Sequence, residues 1–227
     1  MKTNILTIQE RIRTAALAAG RPPESVRLVA VSKTVAASRV REAVQAGLTL
    51  MGENYIQEAR EKIEVLQELP VSWHFIGHLQ SNKAKYAVRL FDMIHSVGSL
   101  KLARELDKQA AKNAKVQAIL IQVNTGKEAT KSGVYEEEAL SLVREAGKME
   151  HLAIKGLMTL PPFFNAPDKV RPYFRALREL RDRIRLEALP GVSMDELSMG
   201  MTGDFEAAIQ EGATLVRIGT AIFGERQ

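Results

Sequence analysis

Short apolar stretches alternate with amphipathic stretches along the chain. The apolar stretches are RLVAV (27–31), LTLMG (48–52), WHFIG (73–77), DMIHSV (92–97), QAILIQVN (117–124), IKGLMTL (154–160), SMDELSMG (193–200) and TLVRIG (214–219). Between them lie segments such as AASRVREAVQAG and SLKLARELDKQAAKN, whose apolar residues recur at helical spacing. Strands that alternate with helices in this way are typical of parallel strands joined by helical crossovers.

The number of predicted strands favours one architecture. Eight strands within 227 residues is the strand number of a (β/α)8 barrel. An open doubly wound sheet is the alternative, but no G-x-G-x-x-G fingerprint follows the first strand. An amphipathic helix with Ile5, Ile8 and Ile12 on one face precedes that strand. The sequence therefore predicts an α/β fold, a (β/α)8 TIM-type barrel with an extra N-terminal helix, as a single domain over residues 1–227.

Composition narrows the classes of function. Hydrophobic residues make up 45% of the chain and charged residues 26%, as is typical of globular proteins. No apolar run approaches the ~18 residues of a membrane span. There is no cysteine, which excludes disulfides, thiolate metal sites and a cysteine nucleophile. We expect a cytoplasmic protein with no metal site and no membrane partner.

The net charge of +5 is concentrated on one predicted helix. Five arginines recur there at three- or four-residue spacing, namely Arg171, Arg175, Arg178, Arg181 and Arg185. A solvated helix face is the favoured interpretation, because no aromatic platform or nucleic-acid motif accompanies the arginines. We therefore expect no nucleic-acid partner, and whether this face docks a protein stays open.

Polar residues and glycines follow the predicted strands, where a barrel of this kind has its active site. Lys33 follows the first strand. SMGMTGDFEAAI leads from the seventh strand into a helix through small residues, and RIGT ends the eighth. Loops after strands seven and eight are the common phosphate site of this fold, and a helix N-terminus suits an anion. The alternative is a capped helix with ordinary turn glycines.

Two basic residues are predicted to point into the barrel. Lys33 shares a strand face with Val29, and Arg217 shares one with Leu215. An inward lysine in apolar surroundings has a lowered pKa, which favours the neutral amine that forms imines. A buried arginine needs an anion or a strong acceptor. Each could alone be a structural residue or part of an ion pair, but with a phosphate loop they indicate a phosphorylated aldehyde held as a Schiff base, such as pyridoxal phosphate.

The motifs that carry this chemistry also resemble a known family. AVSKT, GENYIQEA, WHFIGHLQSNKAK, IHSVGS, KSGV, GLMTL, LSMGMTGDFEAAI and VRIGTAIFG resemble the pyridoxal phosphate homeostasis proteins (the YggS/PROSC family) in the same order along nearly the whole chain. The resemblance implies the barrel of the alanine racemase N-terminal domain. It also implies binding of pyridoxal 5′-phosphate, a role in cofactor balance, and no established catalytic reaction.

The resemblance further implies a set of cofactor-binding residues, namely Lys33, Asn54, His74, Ser198, Met199, Thr202, Arg217, Gly219 and Thr220. Lys33 would form the covalent aldimine, Arg217 would face the pyridine nitrogen, and Asn54 and His74 would line the ring pocket. The residues after strands seven and eight would hold the phosphate. His74 has an alternative role as a core histidine. Lys131 could contact the cofactor, although a loop position is favoured, and His78 and His95 have no assigned role.

A carrier is favoured over an enzyme, so no catalytic residue is predicted. Racemisation needs a base on each face of the substrate, and the second base of alanine racemases comes from a C-terminal domain that we expect this chain to lack. KTVAAS lacks the tyrosine that racemases place after the lysine, and Leu160 stands where they have a histidine. Arg217 would leave the pyridine nitrogen unprotonated, which weakens the electron sink.

We therefore expect a monomer that holds pyridoxal phosphate and delivers it to apo-enzymes that depend on it. A weakly active, pyridoxal-phosphate-dependent amino-acid racemase is the alternative. A cofactor-free lysine aldolase, with Glu53 as its acid, is a more distant third.

Overall fold

Parallel strands form a closed barrel at the centre of the molecule. The computed structural model describes residues 1–162, 164 and 166–224. Its strands are β1 (Arg27–Val31), β2 (Leu50–Glu53), β3 (Ser72–Phe75), β4 (Met93–Val97), β5 (Gln117–Val123), β6 (Leu152–Thr159), β7 (Val192–Ser198) and β8 (Leu215–Ile218). They follow one another in sequence order, and β8 pairs with β1 to close the ring. The eight predicted strands and the (β/α)8 barrel are confirmed.

Helices surround the barrel. They are α1 (Lys2–Ala18), α2 (Ala37–Gln45), α3 (Ile56–Val65), α4 (Ala84–Leu90), α5 (Leu100–Lys112), α6 (Glu136–Ala146), α7 (Arg171–Leu186), α8 (Phe205–Gln210) and α9 (Thr220–Phe223). The predicted extra helix is α1, which buries Ile5, Ile8 and Ile12 and packs against α8 and α9. No helix in the described ranges combines the length and the apolarity needed to cross a bilayer.

The strands separate two apolar cores, because successive side chains point to opposite faces. The inner core fills the barrel with Val29, Leu50, Met93, Leu120, Met158 and Leu215. The outer core lies between the strands and the helices and includes Ala30, Met51 and Phe75. Farther along the strands, inward positions turn polar, as at Arg217 two residues after Leu215. The C-terminal end of the barrel is therefore its polar end.

The basic face of α7 is largely taken up by ion pairs within the molecule. Glu211, which follows α8 and is only 5% exposed, lies 2.9 Å from Arg178, 3.3 Å from Arg175 and 3.8 Å from Arg171. Arg181 pairs with the adjacent Asp182. Arg171, Arg175 and Arg178 thus attach α7 to the end of α8, in addition to belonging to the solvated face that the sequence indicated.

Candidate functional site

Lys33 lies in a tight turn directly after β1. The backbone N–H of Ser32 extends the barrel by a hydrogen bond to Gly52, and the N–H of Val35 closes the turn on the carbonyl of Ser32 at 3.0 Å. Thr34, at the centre of the turn beside Lys33, has a φ of 62°. This left-handed conformation is unfavourable for a β-branched residue. The turn is therefore an unusual one, and it presents a half-buried lysine at the C-terminal end of the barrel.

The turn forms one wall of a cavity of about 400 Å³. Lys33 lines it together with Gly219, Thr220 and Arg39. A Cβ atom at Gly219 would lie 3.1 Å from the carbonyl oxygen of Val31, so the absence of a side chain leaves this wall open. Thr220 begins the single-turn helix α9, in which the N–H groups of Ile222 and Phe223 bond to the carbonyl of Gly219, and it adds a hydroxyl to this wall. The cavity thus combines a primary amine with groups that suit an anion.

A larger cavity, of about 660 Å³, lies between α3 and α4. Tyr55, Arg60, His78 and Tyr86 line it, and of the predicted cofactor residues it includes Asn54. Lys33 is not part of its described lining. We assign the candidate site to the smaller cavity, because imine chemistry requires the amine.

Inside the barrel, four side chains form a buried hydrogen-bonded chain. His74 Nδ1 and His95 Nε2 are 2.8 Å apart, and His95 Nδ1 lies 2.9 Å from Ser198 Oγ. Arg217 donates to Ser198 Oγ at 2.6 Å and to the carbonyl of Thr159 at 2.9 Å. This chain joins strands β3, β4, β7 and β8 with the end of β6.

Burial sets the charge states along this chain. Burial lowers the pKa of His74 to about 4. Burial is also the main cause that lowers the pKa of His95 well below its ordinary value, and a positive charge on His74 or on Arg217 lowers it further. Both imidazoles are therefore neutral near pH 7. Burial lowers the pKa of Arg217 to about 10, so its guanidinium stays charged.

One orientation of the protons is compatible with all three contacts between these side chains. Arg217 can only donate, so Ser198 Oγ accepts a hydrogen bond from it. The hydroxyl of Ser198 can then donate a hydrogen bond to His95 Nδ1. His95 then donates from Nε2 to His74 Nδ1. The result is a directional chain that runs from the guanidinium to His74.

Seven of the nine predicted cofactor residues fall into three groups. Lys33, Gly219 and Thr220 share the smaller cavity, whereas His74, Ser198 and Arg217 belong to the buried chain. Asn54 lies apart, in the lining of the larger cavity.

The connection after β7 differs in detail from the expected phosphate loop. The N–H of Met199 bonds to the carbonyl of Leu215 at 3.1 Å, so barrel pairing already uses it. Thr202 is half-buried in this connection, which is held by a 2.6 Å hydrogen bond from Met201 N–H to Asp204. The roles of Met199 and Thr202 in binding phosphate stay predictions.

Two residues outside the predicted set also gain a defined position. His95 links His74 to Ser198. The sequence could have indicated that His95 points inward, because it follows the inward-facing Met93 by two residues. Lys131 donates to the carbonyl of Pro161 at 2.8 Å and pairs with Glu128 at 2.5 Å. Lys131 thus lies in a loop, as favoured, but it is held there by these two contacts.

Comparison with known proteins relates residues 4–227 to the family described as alanine racemase, N-terminal domain. A pyridoxal phosphate homeostasis protein of Aquifex aeolicus (strain VF5) is 47% identical over 220 residues, which cover 97% of this chain and 96% of that protein. A protein of the same description from Escherichia coli (strain K12) is 40% identical over 231 residues, with coverage of 98% and 95%.

Solved structures show the same similarity. PipY of Synechococcus elongatus PCC7942, with PLP bound, has a TM-score of 0.83 and 37% identity, covering 96% of this chain and 100% of that one. Alanine racemase of Clostridium difficile 630 has a TM-score of 0.75 at 14% identity, which reflects a shared fold. The match covers 99% of this chain and 57% of the racemase.

Proposed function

Because this chain belongs to the family of pyridoxal phosphate homeostasis proteins, which have the alanine racemase N-terminal fold, we propose that it holds pyridoxal 5′-phosphate as a Schiff base on Lys33 and delivers the cofactor to other proteins. One observation carries the proposal. Lys33 shares a cavity of about 400 Å³ with Gly219 and Thr220, so the amine and the two residues expected to hold the phosphate line the same space.

Two parts of the cavity lining match two parts of the cofactor. When bound, pyridoxal phosphate supplies an aldehyde that condenses reversibly with an amine and a ring that withdraws electrons. Lys33 would supply the amine for this condensation, with the aldehyde oxygen released as water. Gly219 and Thr220 would receive the phosphate, together with Ser198 at the end of β7 and Thr202 in the connection that follows.

Arg217 limits what chemistry follows binding. We place its guanidinium toward the pyridine nitrogen, with His74 and Asn54 on the ring side. A guanidinium donates but does not give up its proton near neutral pH, so the pyridine nitrogen stays unprotonated. A ring in that state is a weaker electron sink, which suits storage better than carbanion chemistry.

The residues around Lys33 support the same conclusion. Racemisation would require a second base close to the lysine. The sequence has four tyrosines, and none of them belongs to the described lining of the Lys33 cavity. Thr220 and Gly224 on the rim of the cavity are exposed, which leaves a route for the cofactor to leave for an acceptor protein.

The visible absorption spectrum with added pyridoxal phosphate tests the site. Wild-type protein is expected to show a violet Schiff-base band, and Lys33→Ala is expected to lack it. Lys83→Ala is the matched control, because Lys83 is exposed and lines the other cavity. Borohydride reduction followed by peptide mapping should locate the cofactor on Lys33.

Two outcomes contradict the proposal. A wild-type protein without the band refutes cofactor binding through a Schiff base, and a band that survives in Lys33→Ala refutes the assigned lysine. Delivery is tested separately, by mixing loaded protein with an apo-enzyme while a phosphatase destroys free cofactor. Delivery fails as a function if the apo-enzyme gains no more activity than it does from free pyridoxal phosphate under the same conditions.

A further inference from the structure

Three charged side chains behind the Lys33 turn form a compact group, which we call the Lys62 cluster: Glu53, Glu58 and Lys62. Lys62 Nζ lies 2.8 Å from Glu53 Oε1 and 2.5 Å from Glu58 Oε1. It also donates to the backbone carbonyl of Ser32 at 2.5 Å. An ammonium has three donors, so each donor of Lys62 has its own acceptor.

The two carboxylates of the cluster bond to both neighbours of Lys33. Ser32 Oγ donates to Glu53 Oε1 at 2.6 Å. The backbone N–H of Thr34 donates to Glu58 Oε1 at 2.5 Å. Together with the bond from Lys62, these contacts hold the chain immediately before and immediately after Lys33.

The turn that contains Lys33 has a backbone conformation that is unfavourable by itself. Thr34 has a φ of 62°, a left-handed conformation that is unfavourable for a β-branched residue. A strained conformation persists when surrounding contacts over-determine it. The bonds from the Lys62 cluster supply such contacts on both sides of Lys33.

The stability of the fold does not by itself explain why these charged side chains are grouped here. The Glu53 side chain is fully buried, and its Oε2 atom has no hydrogen-bond partner among the described residues. Burial is the main influence on this carboxyl and raises its pKa. A buried ionic group with an unpaired oxygen is often no more stable than well-packed apolar side chains. A role of the cluster in positioning the Lys33 turn accounts for the burial of Glu53 despite this unfavourable energy.

We propose that Lys62 is a positioning residue for Lys33, and that the Lys62 cluster holds the turn so that the amine faces the cavity. The inference rests on the proposed function of Lys33. It also explains the GENYIQEA stretch and the lysine that follows it, because β2 ends at Glu53 while Glu58 and Lys62 are four residues apart on α3.

The test compares Lys62→Met with Lys115→Met. Lys115 is a half-buried lysine that donates to the carbonyls of Val88 and Phe91, and it touches neither the turn nor the cluster. Stopped-flow absorption gives the rate constant for appearance of the violet band after pyridoxal phosphate is added. Hydrogen exchange of the Thr34 amide in cofactor-free protein reports the turn directly.

Lys62→Met is expected to slow formation of the band by on the order of 10-fold or more, because small misplacements of a reacting group have large kinetic effects. It should also accelerate exchange at Thr34. Lys115→Met should leave both quantities at their wild-type values. Thr34→Gly added to Lys62→Met should restore part of the rate, because glycine adopts a left-handed φ without a steric penalty.

The inference is overturned if Lys62→Met keeps the wild-type rate and exchange, or if Lys115→Met shows an equal loss. Should Lys62→Met fail to fold, Glu58→Ala removes the acceptor of the Thr34 N–H from a half-buried position and is judged by the same two measurements. A wild-type protein that forms no band refutes the proposed function, whereas the exchange data still decide whether the cluster holds the turn.

Discussion

Arg217 donates a hydrogen bond to the hydroxyl of Ser198, 2.6 Å away, inside the barrel. Arg217 is 4% exposed, and the negative charge that acts on it is that of Asp204. Its acceptors are a hydroxyl and the carbonyl of Thr159. A buried cation whose hydrogen-bond acceptors are neutral is costly for the fold, which agrees with the role in cofactor binding proposed above.

Arg217→Met should therefore separate stability from binding. The substitution removes a desolvated charge but leaves two acceptors without their donor. We expect the free energy of unfolding of the cofactor-free protein to stay within about 1 kcal/mol of wild type, or to rise. The dissociation constant for pyridoxal phosphate should increase by roughly 10-fold or more, because loss of one charged hydrogen bond has about that effect. Urea unfolding and absorption titration measure the two quantities.

The opposite pattern would give Arg217 a structural role. A large loss of stability with unchanged affinity would mean that the arginine serves the barrel and not the cofactor. Arg27→Met provides the control, because Arg27 also lies on the barrel, at the start of β1, but is exposed and paired with Glu196. It should leave affinity for the cofactor unchanged.

The buried histidine pair should make stability depend on pH. Because the pKa of His74 in the folded protein is about 4, below the value of about 6.5 expected when unfolded, the unfolded state takes up the proton first as the pH falls. The contribution of neutral His74 is full above pH ~6.5 and is lost between that pH and about 4. The loss is on the order of 3 kcal/mol. His95 acts in the same direction.

Urea unfolding at several pH values between 7.5 and 4.5 checks this dependence. His74→Gln should flatten the decline in the free energy of unfolding, since glutamine does not titrate. The exposed His78 supplies the matched control, because His78→Gln removes a histidine without touching the buried pair. If the free energy of unfolding of His74→Gln declines with falling pH as steeply as that of wild type, His74 does not govern acid stability.

Glu211 should contribute more to the stability of the fold than an exposed carboxylate does, although it follows only a short helix. It receives hydrogen bonds or ion pairs from Arg171, Arg175 and Arg178, and it is buried. Glu211→Ala should lower the free energy of unfolding by about 2 kcal/mol, because hydrogen bonds to charged groups contribute more than neutral ones.

The control for Glu211 is an ion pair on the surface. Glu145 pairs with Lys148 at 2.6 Å, with both side chains exposed. Glu145→Ala should produce no measurable change, because exposed pairs contribute little. An equal effect of the two substitutions would show that the link between α7 and α8 is not a special contribution to stability.

The barrel was predictable because its signals are local. The stretch predicted over 27–31 is β1, and the one predicted over 214–219 contains β8. Alternation along these strands also predicted that Arg217 points inward, as its burial beside Ser198 shows. These features follow from the two-residue period of a strand, which a sequence displays directly.

Alternation failed in one strand for a physical reason. The pairing of β4 with β5 shifts between Ile94 and Val97. His95 faces the interior and bonds to His74, whereas Val97 packs in the outer core, although an unbroken period would place both residues on one face. A register shift of this kind depends on the neighbouring strand, so it leaves no mark in the period of β4 itself.

By itself, then, the sequence determined the barrel, the polar end at which a site could form, and the inward-facing Arg217 at that end. Only the tertiary structure decided which groups meet. Ser198 and His95 are 103 residues apart in the chain, and Lys62 reaches Ser32 across 30. Hydrogen bonds form over about 3 Å, and distances of that size between remote residues arise only when the barrel closes and the helices pack against it.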